Sequence, residues 1–366
     1  MSGEVGVEVP PGVKDLLPWE AKKKRKLENE FAQVFSSWGY DEVVTPTFEY
    51  DKSLVTDTGE DVSQQMYKFF DRDGKILALR PDMTTPIARL VTTRLNEEKF
   101  PQRLFYLANV FKYENPQAGR QREFYQAGAE LIGNQGPAAD AEIIALAASC
   151  LEVAGLKNFK IGVGQIQLFN GIMEQLNLPE EDIKAIKKAI GKKDLVGLEK
   201  LVYNLNISSQ EQEYILLLPE LHGNREVIDL AEKANINDKT DKALKNLREI
   251  FNILEAYKVT DKVMVDFGVL RGFDYYTGVV FEGYTEGLGF PICGGGRYDN
   301  LLGKFGMSQP ATGFAVGLER IFLAKGNSGD DCQEKIQVLK GTDYTELIQK
   351  AMEMRKKGER VKVELD

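Results

Sequence analysis

The chain has a single histidine, His222, among its 366 residues. That scarcity excludes the common histidine-rich metal sites, and it excludes a Ser-His-Asp triad unless His222 itself is the base. His222 lies in LPELHGNRE, a helix-to-turn sequence that predicts a surface or capping role. Cysteine is also sparse. Cys150, Cys293 and Cys332 lie far apart without CxxC spacing, so neither a zinc site nor a disulfide framework is expected. No stretch of about 18 apolar residues exists, which leaves no membrane-spanning helix. The opening MSGEVGVEVPPGVKD has no basic n-region and no apolar h-region; it does not read as a signal peptide, and a cytoplasmic location is expected. Basic charge is in deficit, at a net −9, which weighs against a nucleic-acid binder. The one dense basic run, Lys22–Lys26, falls on a predicted helix and reads as a solvated face.

What the chain does have is enough apolar residue, 43%, to bury a substantial core. A helix is predicted over 18–38, where Leu27, Phe31, Val34, Phe35 and Trp38 form one stripe before Gly39. A strand over Glu42–Thr45 follows, stopping at Pro46. Next comes a hairpin whose strands KFF and KILALR flank Asp71–Gly74. Two longer strands, RLFYLANVFKYE and EFYQAGAELIG, enclose a polar loop at Asn115–Arg122, and an Ala-rich helix is expected over 138–154. From about 170 to 258 the pattern is helical, with Leu244, Leu247, Phe251 and Leu254 on one stripe, and reads as an insertion. Strands resume at KVMVDFGV, YYTGVVFEGY and FPICGGG, and a helix is expected over Gly313–Leu323. GNSGDD at 326–331 reads as a linker, leading to a small β-α-β piece at 326–366. The sum is an α+β fold, a mainly antiparallel sheet flanked by helices, with residues 1–325 as its main domain.

Four segments can carry chemistry. In Leu79-Arg80-Pro81-Asp82-Met83-Thr84-Thr85, Asp82 can hold an ammonium with the Thr84 hydroxyl beside it, although Asp and Thr also cap helices. Along Phe124, Gln126, Gly128 and Glu130, alternation places the side chains on one strand face. That face is either a polar floor with room for a ligand or a solvent-facing surface. Arg271-Gly272-Phe273-Asp274-Tyr275-Tyr276 joins a guanidinium suited to carboxylates or phosphates to a wall of rings; an ordinary turn with packed aromatics reads the same way. Cys293-Gly294-Gly295-Gly296-Arg297-Tyr298-Asp299 allows close backbone approach to a flat ligand. It is followed by Gly313–Arg320, where Arg320 could reach an anion.

Together and in this order, the four segments resemble the catalytic core of the histidyl-tRNA synthetases, a class II family. Gly39–Pro46 is similar to motif 1, the family's dimerising helix-strand pair, Phe111–Gly133 to motif 2, and Gly313–Arg320 to motif 3. RGFDYY and GGGRYDNLL resemble that family's own signatures. The resemblance implies roles. Asp82, Thr84 and Gln126 would hold the α-ammonium of histidine, and Gln126 and Arg271 would face its carboxylate. Glu130 and Tyr276 would grip the imidazole, with Tyr275 and the Gly294–Gly296 strand closing the pocket. Lys112, Arg120 and Arg320 would mark a vestigial nucleotide site. Several departures set the chain apart from the enzymes. Lys112 stands where synthetases place a phosphate-clamping arginine, and Asp82-Met83-Thr84 replaces Glu-Gly-Thr. The YENPQAG segment before the motif 2 loop lacks the usual basic residues, and only 41 residues follow Lys325. These features look like the regulatory subunits of short-form ATP phosphoribosyltransferase, which pair with a separate catalytic subunit and take histidine as effector. The resemblance therefore implies a homodimer within a hetero-oligomer, no catalysis, no cofactor, no metal and no tRNA charging. A truncated histidyl-tRNA synthetase is the alternative.

Overall fold

The computed structural model describes residues 8–55, 63–114, 121–234, 236–270, 275–326 and 336–364. The chain divides into two compact units, Met1–Lys325 and Gly326–Asp366. In the first, the strands are β1 (Asp41–Glu42), β2 (Phe48–Tyr50), β3 (Lys68–Phe70), β4 (Ile76–Leu79), β5 (Gln102–Phe111) and β6 (Glu123–Ile132). They continue as β7 (Phe159–Gln165), β8 (His222–Gly223), β9 (Val263–Asp266), β10 (Val279–Thr285), β11 (Cys293–Arg297) and β12 (Ala311–Gly317).

Nine of these build one sheet in the order β1-β5-β6-β12-β11-β10-β7-β9-β8. Its pairs are antiparallel except β1 with β5 and β7 with β9. A second sheet, β2-β4-β3, contains the expected hairpin. Gly74, at φ 75°, turns that hairpin in a conformation that side chains disfavour.

Period-2 alternation divides the main sheet into two faces. Ala127, Ala129 and Leu131 of β6 join Ile161, Val163, Phe281 and Phe314 in the larger core, under helix Pro137–Val153 and helix Pro18–Ser37. Phe124 of the same strand packs with Met83, Tyr106, Tyr275 and Tyr298 on the opposite face. The helical stretch after β7 contains helices Ile166–Leu176, Glu180–Gly191, Leu195–Tyr203, Ser209–Leu217, Glu226–Glu232 and Asp238–Ala256. The stripe expected on the last of these is buried: Leu244, Leu247, Phe251 and Leu254 are all at most 4% exposed. The second unit is one β-α-β piece in which β13 (Gln337–Leu339) and β14 (Val361–Val363) pair in parallel around helix Tyr344–Lys356.

Three expectations are corrected. Gly313–Gly317 is strand β12, and the helix begins only at Leu318. The reason is position: β12 is the interior strand between β6 and β11, where ladder bonds on both sides outweigh local preference. The expected Glu42–Thr45 strand shrinks to Asp41–Glu42, because the edge strand pairs only with Leu104 and Phe105 before the chain turns away. His222 is exposed, as expected, but it lies in the short strand β8 opposite Asp266 rather than in a helix cap.

Candidate functional site

The site is built from the sheet face opposite the large core. Register places Gly313 of β12 beside Glu130 of β6, and Gly296 of β11 beside Gly313. On the other side of β6, Tyr106 lies opposite Gly128 and Leu104 opposite Glu130. The small residues are required by space. A Cβ on Gly313 would overlap Oε2 of Glu130, one on Gly128 would overlap the Tyr106 hydroxyl, and one on Gly296 would sit 3.0 Å from the Tyr276 ring. The outcome is a glycine floor with one carboxylate at its end.

Glu130 is only 1% exposed. Thr84 Oγ1, on the first residue of helix Thr84–Arg94, donates to Glu130 Oε1 at 3.0 Å, and the Tyr298 hydroxyl donates a short bond to Oε2. Burial lifts the Glu130 carboxyl to about 8, even though both hydroxyl donors oppose that rise and nearby Asp82 adds to it. Burial also raises the Tyr298 phenol well above its ordinary range, so it remains a donor at neutral pH. The tyrosines form a continuous wall: ring centroids of Tyr275 lie 5.1 Å from Tyr276 and 5.7 Å from Tyr298.

Behind the wall, Arg297 is pinned to Asp140 at 3.0 and 3.1 Å, with both residues buried, and it also meets Asp299 at 3.0 Å. Buried pairs of this kind hold geometry more than they add stability. Here the pair anchors the end of β11, from which Tyr298 extends.

Two residues before Thr84 sits Asp82, close enough to Glu130 for their charges to interact. Its Oδ1 accepts the Thr85 N–H at 3.2 Å, so the helix-capping reading holds for that oxygen. Its Oδ2 is buried without a hydrogen-bond partner among the described residues, as is Oε1 of Gln126. Burial raises the Asp82 carboxyl, and the charge of Lys112 pulls it back down. Lys112 is shifted down by burial and held up by Asp82. Arg320, on helix Leu318–Lys325, donates to the Pro291 carbonyl at 2.6 Å and stacks 5.4 Å from the Phe290 ring.

The structure thus brings Asp82, Thr84, Gln126, Glu130, Tyr275 and Tyr276 to one face, with Lys112 and Arg320 near its polar end. Arg120 and Arg271 lie outside the described residues. Sequence reasoning gave no role to Tyr298 or Tyr106, the two hydroxyl-bearing rings beside Glu130 and Gly128.

A polar face with a buried acceptor and two buried oxygens unmatched among the described residues suits a small molecule with a ring donor and an ammonium. The family model for histidyl-tRNA synthetase matches residues 12–321. An ATP phosphoribosyltransferase regulatory subunit of Moorella thermoacetica is 46% identical over 358 residues, spanning 98% of this chain and 92% of that one. The chain belongs to the ATP phosphoribosyltransferase regulatory subunits. A second member of that family, from Desulfitobacterium hafniense, is 40% identical over 366 residues, all of this chain and 94% of its own.

Among solved structures, an ATP phosphoribosyltransferase regulatory subunit/histidyl-tRNA synthetase from Bacillus halodurans superposes with a TM-score of 0.90 at 35% identity, covering 98% of this chain and 92% of the other. A Nostoc histidyl-tRNA synthetase matches at a TM-score of 0.83 and 24% identity, over 99% and 87% of the two chains, and shares the fold. The α+β class II architecture follows from the likeness to these structures, and the regulatory, non-catalytic standing of the chain from its membership of the regulatory-subunit family. No described helix is long and apolar enough to cross a membrane.

Proposed function

We propose that the chain is the histidine-sensing subunit of a cytoplasmic ATP phosphoribosyltransferase. Free of ligand, it supports a separate short catalytic subunit that joins ATP to phosphoribosyl pyrophosphate, the first step of histidine biosynthesis; with histidine bound, it inhibits that partner. Residues 1–325 form the synthetase-like domain and 326–366 a small remnant, and the subunit works as a homodimer inside a hetero-oligomer.

The observation that carries this reading is the buried carboxylate of Glu130, oriented by Thr84 and Tyr298 at the end of the glycine floor. An imidazole N–H needs such an acceptor, and the tyrosine wall gives its flat faces a surface to pack against. An α-ammonium would satisfy Asp82 Oδ2 and Gln126 Oε1, which accept no hydrogen bond among the described residues. Arg271 belongs to the carboxylate end by resemblance. Lys112 offers a point charge where a ligase needs a guanidinium fork, so adenylate formation is not supported. Feedback then requires that histidine bind the inhibiting arrangement more tightly than the active one, with a coupling of about 1–3 kcal/mol that acts in both directions. Calorimetric titration of the purified chain with histidine tests the pocket. Saturable one-to-one binding is expected; absence of binding at millimolar ligand contradicts it.

A further inference from the structure

We propose that Arg80 is the positioning residue for the ammonium-holding end of the pocket, tying three chain segments together so that Asp82 and Lys112 keep a fixed relation. The inference rests on the histidine-binding reading above and adds to it a residue that touches no ligand.

Arg80 is 5% exposed. Its Nε donates to the Asn109 carbonyl at 2.8 Å and its Nη2 to Asn109 Oδ1 at 3.0 Å. Its Nη1 donates to the carbonyls of Thr45 at 2.8 Å and Pro46 at 3.3 Å. Every one of these acceptors is a neutral amide oxygen. Glu49 contributes charge from nearby, but its own oxygens are taken by Arg89 in a fork at 2.5 and 2.8 Å.

A buried guanidinium whose bonds among the described residues all go to neutral oxygens is costly, and an apolar side chain would fill the space at less expense. What an apolar residue cannot supply is the planar fork that joins β5 to the segment before β2. The backbone completes the tie. Arg80 N–H donates to the Thr47 carbonyl at 3.1 Å, and the Arg80 carbonyl accepts the Phe111 N–H at 3.0 Å. Lys112 is the residue after Phe111. Asp82 is two residues after Arg80, with Pro81 restricting the backbone between them. The segment before β2 is drawn in as well, with the Thr45 hydroxyl 4.0 Å from the Met83 sulfur. Thus Arg80 sets the spacing of the Asp82 and Lys112 backbones, whereas Glu130 is held by two hydroxyls that Arg80 does not contact, one from Thr84 further along the same segment and one from Tyr298 of another.

That separation gives a test that a merely structural role would not pass. Histidine and its des-amino analogue, imidazole-4-propionate, are titrated into the native chain, into Arg80→Lys, and into Asn109→Ala, which removes one acceptor of the fork and leaves the charge in place. Thermal unfolding establishes that each variant is folded. Arg80→Lys is expected to weaken histidine by about tenfold, and the des-amino ligand by less than about twofold. Asn109→Ala should show the same selective loss at about threefold. Equal weakening of both ligands, or undiminished histidine affinity in folded variants, overturns the positioning role. Should Arg80→Lys fail to fold, Asn109→Ala alone decides. Failure of the native chain to bind histidine at all is a different result, and it sinks the histidine reading itself.

Discussion

Replacing Glu130 with alanine removes the buried carboxylate that the pocket offers to a ring nitrogen. The side chain is buried, and both of its oxygens accept hydroxyl donors, from Thr84 at 3.0 Å and from Tyr298. Two consequences follow. The ligand loses a hydrogen bond to a buried ionisable partner, a loss of about 1.5–3 kcal/mol, or roughly ten- to 150-fold in affinity. The two hydroxyls lose their shared acceptor, but each belongs to an element anchored elsewhere. Thr84 opens a helix and Tyr298 follows the Arg297–Asp140 pair, so the fold should persist. Calorimetry with histidine reads the affinity, and sedimentation and thermal unfolding verify the assembly. Unchanged affinity in a folded variant would remove Glu130 from the pocket and refute the reasoning from buried acceptor to ligand.

The pH dependence of binding follows from the same residue. With its carboxyl near 8, empty-pocket Glu130 carries a proton at pH 7, while the free histidine ring, near 6.5, is mostly neutral; the complex therefore forms by sharing one proton already present. Affinity should peak between about 6.5 and 8, falling below as the free ring gains a proton and above as empty Glu130 loses its own, and Glu130→Gln should flatten the alkaline limb in titrations from pH 5.5 to 9. The sign for stability is separate: a carboxyl raised in the folded state is protonated more readily there, so the unliganded chain should lose stability as pH rises from about 4.5 to 8. Gly313→Ala would drive a methyl into Glu130 Oε2, and it should weaken histidine by at least about tenfold in the same titration while leaving the unfolding curve cooperative. The chain should sediment as a dimer at micromolar concentration; a monomer there would count against the expected motif 1 association.

Period-2 reading put Phe124, Gln126, Gly128 and Glu130 on one strand face, because a strand fixes its side chains to two sides whatever surrounds it, but it left open whether that face was a ligand floor or met solvent. The three glycines of β11 were legible as strand for a related reason: they precede Arg297 and Tyr298 without any helical spacing. Gly313–Gly317 was misread because ATGFAVGLERIF carries apolar residues at spacings a helix also allows. Only pairing with β6 and β11, a long-range fact, decides for strand. The strand after Glu42 was overextended by Val43, Val44 and Thr45, whose β-branching favours strands past the point where pairing with β5 ends. Tyr298 lay within a segment already singled out, but nothing local says which side of the sheet a residue just past a strand end will face. Tyr106 had a usable signal. Pairing RLFYLANVF with EFYQAGAEL sets a large ring against Gly128, and a ring facing a glycine marks a place where one side chain fills the space of two.

The most direct test of the account is a histidine inhibition curve on the assembled enzyme. The short catalytic subunit is assayed for joining ATP to phosphoribosyl pyrophosphate alone, with this chain, and with its Glu130→Ala variant. Activity that depends on the chain is expected, with inhibition by histidine when the chain is native and full activity without inhibition when the variant replaces it. Activity with the native chain that histidine does not reduce, or feedback that survives Glu130→Ala unchanged, would contradict it.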